Sequence, residues 1–418
     1  MKLRDLVEFN PTEHLPRDAQ VPFVDMAALP QLGRDIQAFS LRDPASSGAR
    51  FVNGDTLVAR ITPCLENGKG AQVRILPDNT VGQGSTEFIV LRAKLPSDAD
   101  FVYNLSRHPD FQHHAIRQMT GTSGRQRVSW QSLADYEFPD IDPRQRALIG
   151  SVLGALDDKI ELNRRVNETL EAIGRAIFQD WFVEFGPVRA KMEGHAPYLA
   201  AEIWALFPKD IDIDGRPEGW NGGNLSDFAN LNPESWSRAN YPDSVNYVDL
   251  SSTKWGTIEA VTPFTSDDAP SRAQRILRPG DTIVGTVRPG NGSYAFVSSD
   301  GLTGSTGFAV LRPIQDIYRE AVYLAASSRE NIGRLAHLAD GGAYPAVRPE
   351  LVAATELINA PERVFAAFSS ATGGLIDRAE TNKQENRTLA AMRDLLLPKL
   401  MSGAVRVKDA EKLIGDLA

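Results

Sequence analysis

The sequence predicts an α+β protein built as an internal repeat, each half a strand-rich globular part followed by one long helix. Three observations carry this. A set of phrases occurs twice in one order, an apolar stripe of coiled-coil spacing follows each set, and a segment rich in Gly and Pro lies between the halves. The expected segments are a strand-rich part over 1–140, a helix over 141–186, a connecting strap over 187–222, a second strand-rich part over 223–360, a second helix over 361–402 and a tail over 403–418.

Each copy opens on the same words, Leu3-Arg4-Asp5-Leu6 with Asn10-Pro11 and Leu225-Ser226-Asp227-Phe228 with Asn232-Pro233. A strand-like run follows, Val21-Pro22-Phe23-Val24-Asp25-Met26 against Val245-Asn246-Tyr247-Val248-Asp249-Leu250. Then Gly54-Asp55-Thr56-Leu57-Val58 matches Gly280-Asp281-Thr282-Ile283-Val284, and each copy reaches a proline, Pro63 and Pro289. The next pair is Gly84-Ser85-Thr86-Glu87-Phe88-Ile89-Val90-Leu91-Arg92 and Gly304-Ser305-Thr306-Gly307-Phe308-Ala309-Val310-Leu311-Arg312. Its alternation and β-branched content read as a strand entered through a Gly-Ser-Thr turn. The last match is helical: Asn163, Asn167, Thr169 and Leu170 against Asn382, Asn386, Thr388 and Leu389.

The first helix begins after Pro143 and carries Ile149, Leu153, Leu156, Ile160, Val166, Leu170, Ile173 and Ile177, mostly three or four apart. That spacing is a coiled-coil seam rather than a broad amphipathic face. The second runs from about Glu362 with Phe365, Phe368, Leu375, Ala379, Leu389, Met392 and Leu396. It is expected to stop at Pro398, whose ring and missing N–H break the helical ladder. Asn163 and Asn382 occupy equivalent positions. They read either as polar seam residues that specify register and orientation or as solvated positions just off the seam. The strap, with Tyr198, Trp204, Leu206, Phe207 and Trp220 as apolar anchors, reads as ordered along the surface rather than as a free tether.

Composition excludes several classes of function. A formal net charge of -9 counts against a protein that coats DNA by itself, since non-specific affinity comes from neutralising phosphates with Lys and Arg. Any DNA surface must be local or shared with a partner. The single cysteine, Cys64, forbids an internal disulfide and a thiolate zinc cluster and fits a reducing compartment. No stretch approaches the roughly 20 apolar residues of a membrane span, and Met1-Lys2-Leu3-Arg4-Asp5 runs straight into charged sequence, so a cytoplasmic protein that touches no membrane is expected. There is no G-x-x-x-x-G-K-[ST] phosphate loop and no glycine-rich nucleotide fingerprint after a strand. The Asn-Pro-Pro-aromatic motif of adenine methyltransferases is missing, because Asn10-Pro11 leads to Thr12 and Asn232-Pro233 to Glu234. His113-His114 is the one adjacent histidine pair. Neighbours on a helix point apart and no third ligand stands out, so no metal site is assigned.

A further set of phrases resembles the specificity subunits of type I restriction-modification systems, over nearly the whole chain. They are Arg60-Ile61-Thr62-Pro63-Cys64-Leu65-Glu66-Asn67-Gly68-Lys69, Val287-Arg288-Pro289-Gly290-Asn291, Gly121-Thr122-Ser123, Asp180-Trp181-Phe182-Val183-Glu184-Phe185-Gly186-Pro187, Leu206-Phe207-Pro208, Pro217-Glu218-Gly219-Trp220 and Leu397-Pro398-Lys399-Leu400-Met401-Ser402-Gly403. The resemblance implies two target recognition domains held apart by two antiparallel spacer helices in a coiled coil, each domain reading one half of a split double-stranded DNA site. It implies no active site and no bound cofactor in this chain. Two methyltransferase subunits would dock on it and methylate adenine with their own S-adenosylmethionine, and restriction subunits can join them. Trp181, Phe182 and Phe185 at the helix exit then read either as core against the strap or as a docking point for a methyltransferase subunit. Rival readings are a divergent DNA methyltransferase or nuclease with its own active site, and a coiled-coil adaptor that binds only proteins.

Base readout uses bidentate donors on loops, Arg to guanine and Asn or Gln to adenine, while Arg, Lys, Ser, Thr and backbone amides contact phosphate. The loops that combine such groups carry Arg60, Thr62, Asn67 and Lys69, then Gln83, Ser85 and Thr86, then Arg125, Gln126 and Arg127 in the first half. The second half offers Arg288, Asn291, Ser293 and Tyr294, then Ser305 and Thr306, then Tyr344 and Arg348 near Gly341-Gly342. Equivalent loops carry different side chains, which predicts half-sites of different sequence.

Overall fold

In the computed structural model the described residues are 1–415 without Arg17, Leu32, Ser123 and Ala343. Ser123 of the Gly121-Thr122-Ser123 phrase and the last three residues of the expected tail lie outside them. The chain divides into two compact units, one of Met1–Arg165 with Gln384–Ala418 and one of Val166–Lys383. The division falls inside both long helices because each helix half is built into the core of its own unit. In the first unit Ile149, Leu153 and Leu156 of one helix and Leu396, Leu397 and Leu400 of the other share an apolar cluster with Leu3, Leu91 and Phe101. In the second, Phe178 of one helix and Phe365, Phe368 and Ile376 of the other join Trp220, Leu311 and Tyr323.

The first unit contains β1 (Val7–Phe9), β2 (Val21–Val24), β3 (Ser40–Arg42), β4 (Ala49–Phe51), β5 (Thr56–Ala59), β6 (Gly70–Gln72), β7 (Gly82–Gly84) and β8 (Phe88–Ala93). They form two four-stranded sheets, ordered β1-β8-β5-β6 and β3-β2-β7-β4, in which only the β2/β7 pair is parallel. The second unit contains β9 (Ala229–Leu231), β10 (Ser244–Val248), β11 (Thr253–Lys254), β12 (Thr257–Ile258), β13 (Thr262–Thr265), β14 (Ala273–Leu277), β15 (Thr282–Gly285), β16 (Tyr294–Phe296), β17 (Leu302–Ser305) and β18 (Phe308–Pro313). Its sheets are β16-β15-β18-β9 and β13-β10-β17-β14, again with one parallel pair, β10/β17. The predicted repeat is therefore a repeat of topology, with the small β11/β12 hairpin as an addition to the second copy.

The repeated phrases are the residues that hold this topology together. Gly54 and Gly280 sit at φ 94° and 92°, turn positions that suit a residue without a Cβ. Asp55, next in sequence, takes a bidentate pair from Arg92 at 2.7 and 2.7 Å, and Glu13 closes on the same guanidinium at 2.5 Å. Asp281 takes the same pair from Arg312 at 2.8 and 2.9 Å, with Glu234 as the third member. The hydrogen bonds to the buried aspartates raise the pKa of both arginines. Asn10 and Asn232 adopt φ 47° and 49°, a left-handed conformation that Asn tolerates better than most residues. Each side chain accepts the backbone N–H of the facing strand, Val90 or Val310, at 3.0 Å. The Asn-Pro words thus close β1 onto β8 and β9 onto β18.

The long helices span Pro143–Phe178 and Glu362–Met401. The first passes into a π-helical turn, Gln179–Val183, before the strap, which itself contains the short helices Gly186–Met192 and Ala201–Trp204. Two expectations fail here. Pro398 lies inside the second helix rather than ending it. Leu396, Leu397, Leu400 and Met401 on either side are buried in the first unit's core, and that packing outweighs the missing hydrogen bond. The seam of the first helix also departs from its apolar pattern: Val166 and Ile173 are 37% and 44% exposed, whereas Asn163 is 3% exposed and Asn167 and Gly174 are buried. The solvated reading of the asparagines is thereby overturned, Asn382 being 1% exposed. In the first unit Asn163 Nδ2 donates to Asn386 Oδ1 at 3.0 Å and to Glu385 at 2.8 Å. In the second unit Asn382 Nδ2 donates to Asn167 Oδ1 at 2.8 Å, and Asn167 donates to the Ala379 carbonyl at 3.1 Å. Buried amides persist there because each finds a partner on the facing helix.

Candidate nucleic-acid interface

In the first unit three loops are sewn into one surface. Beyond β5, Arg60 donates its N–H to the Glu87 carbonyl at 3.0 Å, and its own carbonyl accepts Val128 N–H at 2.9 Å. Thr62 pairs with Gln126 through the backbone, at 3.0 Å, and its hydroxyl oxygen accepts Gln126 N–H at 3.0 Å. Arg127 places its guanidinium on both Glu87 oxygens at 2.7 to 3.0 Å, which raises the arginine pKa. Thr120 and Arg127 exchange backbone bonds at 2.9 and 3.0 Å and close the third loop as a hairpin.

The second unit repeats the arrangement with other side chains. Thr286 donates to the Gly307 carbonyl at 2.8 Å, Val347 to the Thr286 carbonyl at 2.9 Å, and Arg288 to the Pro345 carbonyl at 2.7 Å. Asp340 and Ala346 close the matching hairpin at 3.1 and 2.7 Å. Glu87 and Arg127 of the first unit thus face each other where Gly307 and Ala346 stand in the second.

These surfaces expose Asn67, Thr86 and Arg125 in the first unit, with Arg60, Thr62, Gln126 and Arg127 half-buried, and Arg288, Asn291, Thr306, Tyr344 and Arg348 in the second. Other expected contact residues are committed to the fold. Gln83 is 0% exposed; it accepts Ala45 N–H at 3.0 Å and donates to the Ala45 and Ser47 carbonyls at 2.8 and 2.7 Å. Lys69 donates its ammonium to the Met26 carbonyl at 2.8 Å. The Ser85 and Ser305 hydroxyls accept the Glu87 and Gly307 N–H groups, shaping their turns. Ser293 is buried and donates to the Leu250 carbonyl at 3.0 Å, and Tyr294 is buried with its ring edge-on to Trp255. Satisfied buried groups such as these reach a base only by breaking what they hold.

The helix exit is largely committed to the fold as well. Trp181 and Phe182 are buried against Phe368 and Phe365, so these two side chains are core, while Phe185 is half-buried and stands edge-on to Trp220 at 6.0 Å. Reading the sequence missed Ser46 and Arg50, which line a cleft of about 370 Å³ with Thr12, Arg60 and Thr86. It also missed Arg272, exposed beside Thr306, whose N–H its carbonyl accepts at 2.8 Å. Nothing local marks these residues, since only the pairing of β4 with β7 and of β14 with β17 brings them beside the turns. Of the histidine pair, His113 is exposed and His114 meets the Ser132 carbonyl at 3.1 Å. Among the described residues no group of three His, Cys, Asp or Glu could hold a metal ion, and no helix is long and apolar enough to cross a membrane.

The fold and these surfaces define a class: a duplicated α+β protein, each copy with a three-loop polar surface and a long helix that follows it in sequence. Comparison with known proteins gives the class its relatives. The chain is 24% identical to the type I restriction enzyme HindI specificity subunit of Haemophilus influenzae, over 87% of this chain and 89% of that one. It is 22% identical to the MjaIX specificity subunit of Methanocaldococcus jannaschii, over 75% and 72% of the two chains. The S subunit of a type I restriction-modification system from M. genitalium shares the fold, with a TM-score of 0.51 at 14% identity over 96% and 95% of the chains. No family model matches the chain. The resemblance carried by the motifs therefore holds: the chain is a relative of type I restriction enzyme specificity subunits along most of its length.

Proposed function

We propose that this chain is the DNA-specificity subunit of a type I restriction-modification complex, reading a two-part double-stranded site with its two three-loop surfaces. The observation that carries the reading is the match of frame and mismatch of contents. The same backbone bonds hold both surfaces, while Thr62 and Arg125 of one occupy the places of Arg288 and Tyr344 in the other. A duplicated frame with unlike side chains is what an asymmetric target calls for. The helices, of 36 and 40 residues, are roughly 54 and 60 Å long at 1.5 Å per residue, more than one DNA turn of about 34 Å, and in this reading they set the gap between half-sites. No catalytic step is assigned to this chain. Adenine methylation, with S-adenosylmethionine, belongs to two methyltransferase subunits and cleavage to restriction subunits. The setting is cytoplasmic.

The test is to co-express the chain with the methyltransferase encoded beside it and map methylated adenines by sequencing. Expected is one asymmetric split motif with a constant gap, absent when this chain is omitted. Methylation or cleavage by the purified chain alone, or sequence preference unchanged without it, overturns the reading.

A further inference from the structure

We infer that Arg288 and Tyr344 form a preassembled reader for one guanine in the half-site addressed by the Val166–Lys383 unit; the inference rests on the DNA-specificity reading above. Arg288 stands at φ 47°, a conformation uncommon for a residue with a long side chain. The surrounding bonds hold it there: its N–H donates to the Pro345 carbonyl at 2.7 Å, its carbonyl accepts Asn291 N–H at 2.9 Å, and the buried Pro289 opens the short helical turn Pro289–Asn291. An unusual backbone conformation maintained by its neighbours points to a use for the side chain that it aims.

That side chain lies over the Tyr344 ring, with Cζ 4.9 Å from the centroid. Tyr344 is 72% exposed and sits on the hairpin closed by Asp340 and Ala346, so the ring is held out from the core on a fixed support. An aromatic face holds a guanidinium by its charge and its flat shape, and the guanidinium carries its N–H donors in a rigid planar fork. Two donors in one plane match the O6 and N7 acceptors of guanine. Adenine and cytosine present an amino donor on the same groove edge, and thymine one acceptor, so none of them completes the fork. Contact with a phosphate needs charge more than direction, and ordering a long side chain beforehand for it spends rotamer entropy without return. A base reader gains from being ordered in advance.

The first unit lacks this device. Thr62 stands in the place of Arg288 with its hydroxyl engaged by Gln126, and Arg125 stands in the place of Tyr344. The guanine reader therefore belongs to one half-site only.

The experiment uses the full chain in complex with its methyltransferase subunits, a library randomised across both half-sites, and methylation read by sequencing. The wild-type complex is expected to require guanine at one position of one half-site. Arg288→Ala lowers discrimination at that position about tenfold or more, with the other half-site unchanged as the internal measure of folding. Arg288→Lys keeps the charge and loses the discrimination, Tyr344→Ala loses part of it, and Tyr344→Phe retains it. Full discrimination in Arg288→Lys, or an even loss over all sequences in Arg288→Ala, shows a phosphate contact and overturns this inference alone. A wild-type complex without preference in either half-site overturns the specificity reading with it.

Discussion

The two units share strand order, turn chemistry and the Asp-Arg-Glu clasp, yet the side chains gathered around the long helices differ in chemistry. The first adds charge to its apolar cluster. Arg393 of one long helix reaches Asp157 of the other at 2.7 Å with both side chains almost fully buried, and from outside the helices Arg34 bridges Asp35 and Asp158 at 2.6 Å each while Arg74 meets Asp158 at 2.8 Å. The second uses aromatic packing: Phe182 lies stacked on Phe365 and edge-on to Phe368, each 5.0 Å between centroids, and Phe228 closes on Phe365 at the same distance. The lesson is that a duplicated fold needs few repeated residues. The turns and clasps recur, while the packing around the helices is free to vary, with a buried arginine–aspartate pair added in one unit and an aromatic cluster in the other.

The sharpest way to break this contrast is to remove one anchor from each unit. Phe368→Ala should cost about 3–5 kcal/mol through the cavity it leaves, and Asp157→Ala about 1–3 kcal/mol, because Arg393 loses its buried partner and keeps only the exposed Asp394 at 2.9 Å. The double change Asp157→Leu with Arg393→Met should recover most of the second loss, since an ion pair replaced by apolar groups of like volume is often neutral. Hydrogen exchange in β8 and β18 under denaturant reports each unit separately; a double variant no better than Asp157→Ala removes the electrostatic half of the comparison.

A smaller effect sharpens what the helices share. Asn382→Leu leaves the Asn167 amide oxygen without the donor it accepts and should cost about 1–3 kcal/mol. Asn163→Leu should cost about the same, as its Asn386 bond is the counterpart of the Asn382–Asn167 bond. If these amides also specify register, the double Leu variant loses the split-site methylation pattern at a melting temperature close to that of either single variant. An unchanged pattern leaves them a packing role only.

The smallest effect depends on acid. Burial pushes the Asp158 carboxyl up, but the Arg34 hydrogen bond and the charges of Arg34 and Arg74 outweigh it, so its pKa lies below the ordinary carboxylate value. A lowered carboxylate pKa contributes stability above the unfolded value, near 3.9, and that stability is lost as the pH falls through the lowered folded value. Asp158→Asn should thus destabilise the first unit at pH 7, with the gap to wild type narrowing at pH 3 and below. A gap independent of pH would show that Asp158 acts by shape rather than charge.

Much of this was legible in the residues alone. Two copies of Gly-Asp-Thr, Asn-Pro and Leu-Arg announced the repeat, because a turn or a clasp needs the same residue wherever it is built. Apolar spacing found both helices but misplaced the seam at Val166 and Ile173, since it registers hydrophobicity and the helices there meet through paired amides. Loop composition named more residues than the loops leave facing outward: Gln83, Lys69 and Ser293 have the chemistry of DNA contacts, and only their neighbours show it already in use.

Sequence by itself determined the duplicated α+β architecture, the two long helices and the absence of recognisable catalytic motifs, because these rest on local pattern and on residues a turn requires. The tertiary structure decided which polar groups face outward, which bury against a partner, and that Arg288 and Tyr344, distant along the chain, share one contact. Those outcomes turn on what strand pairing brings together, and competition for hydrogen bonds and for burial is settled only in space.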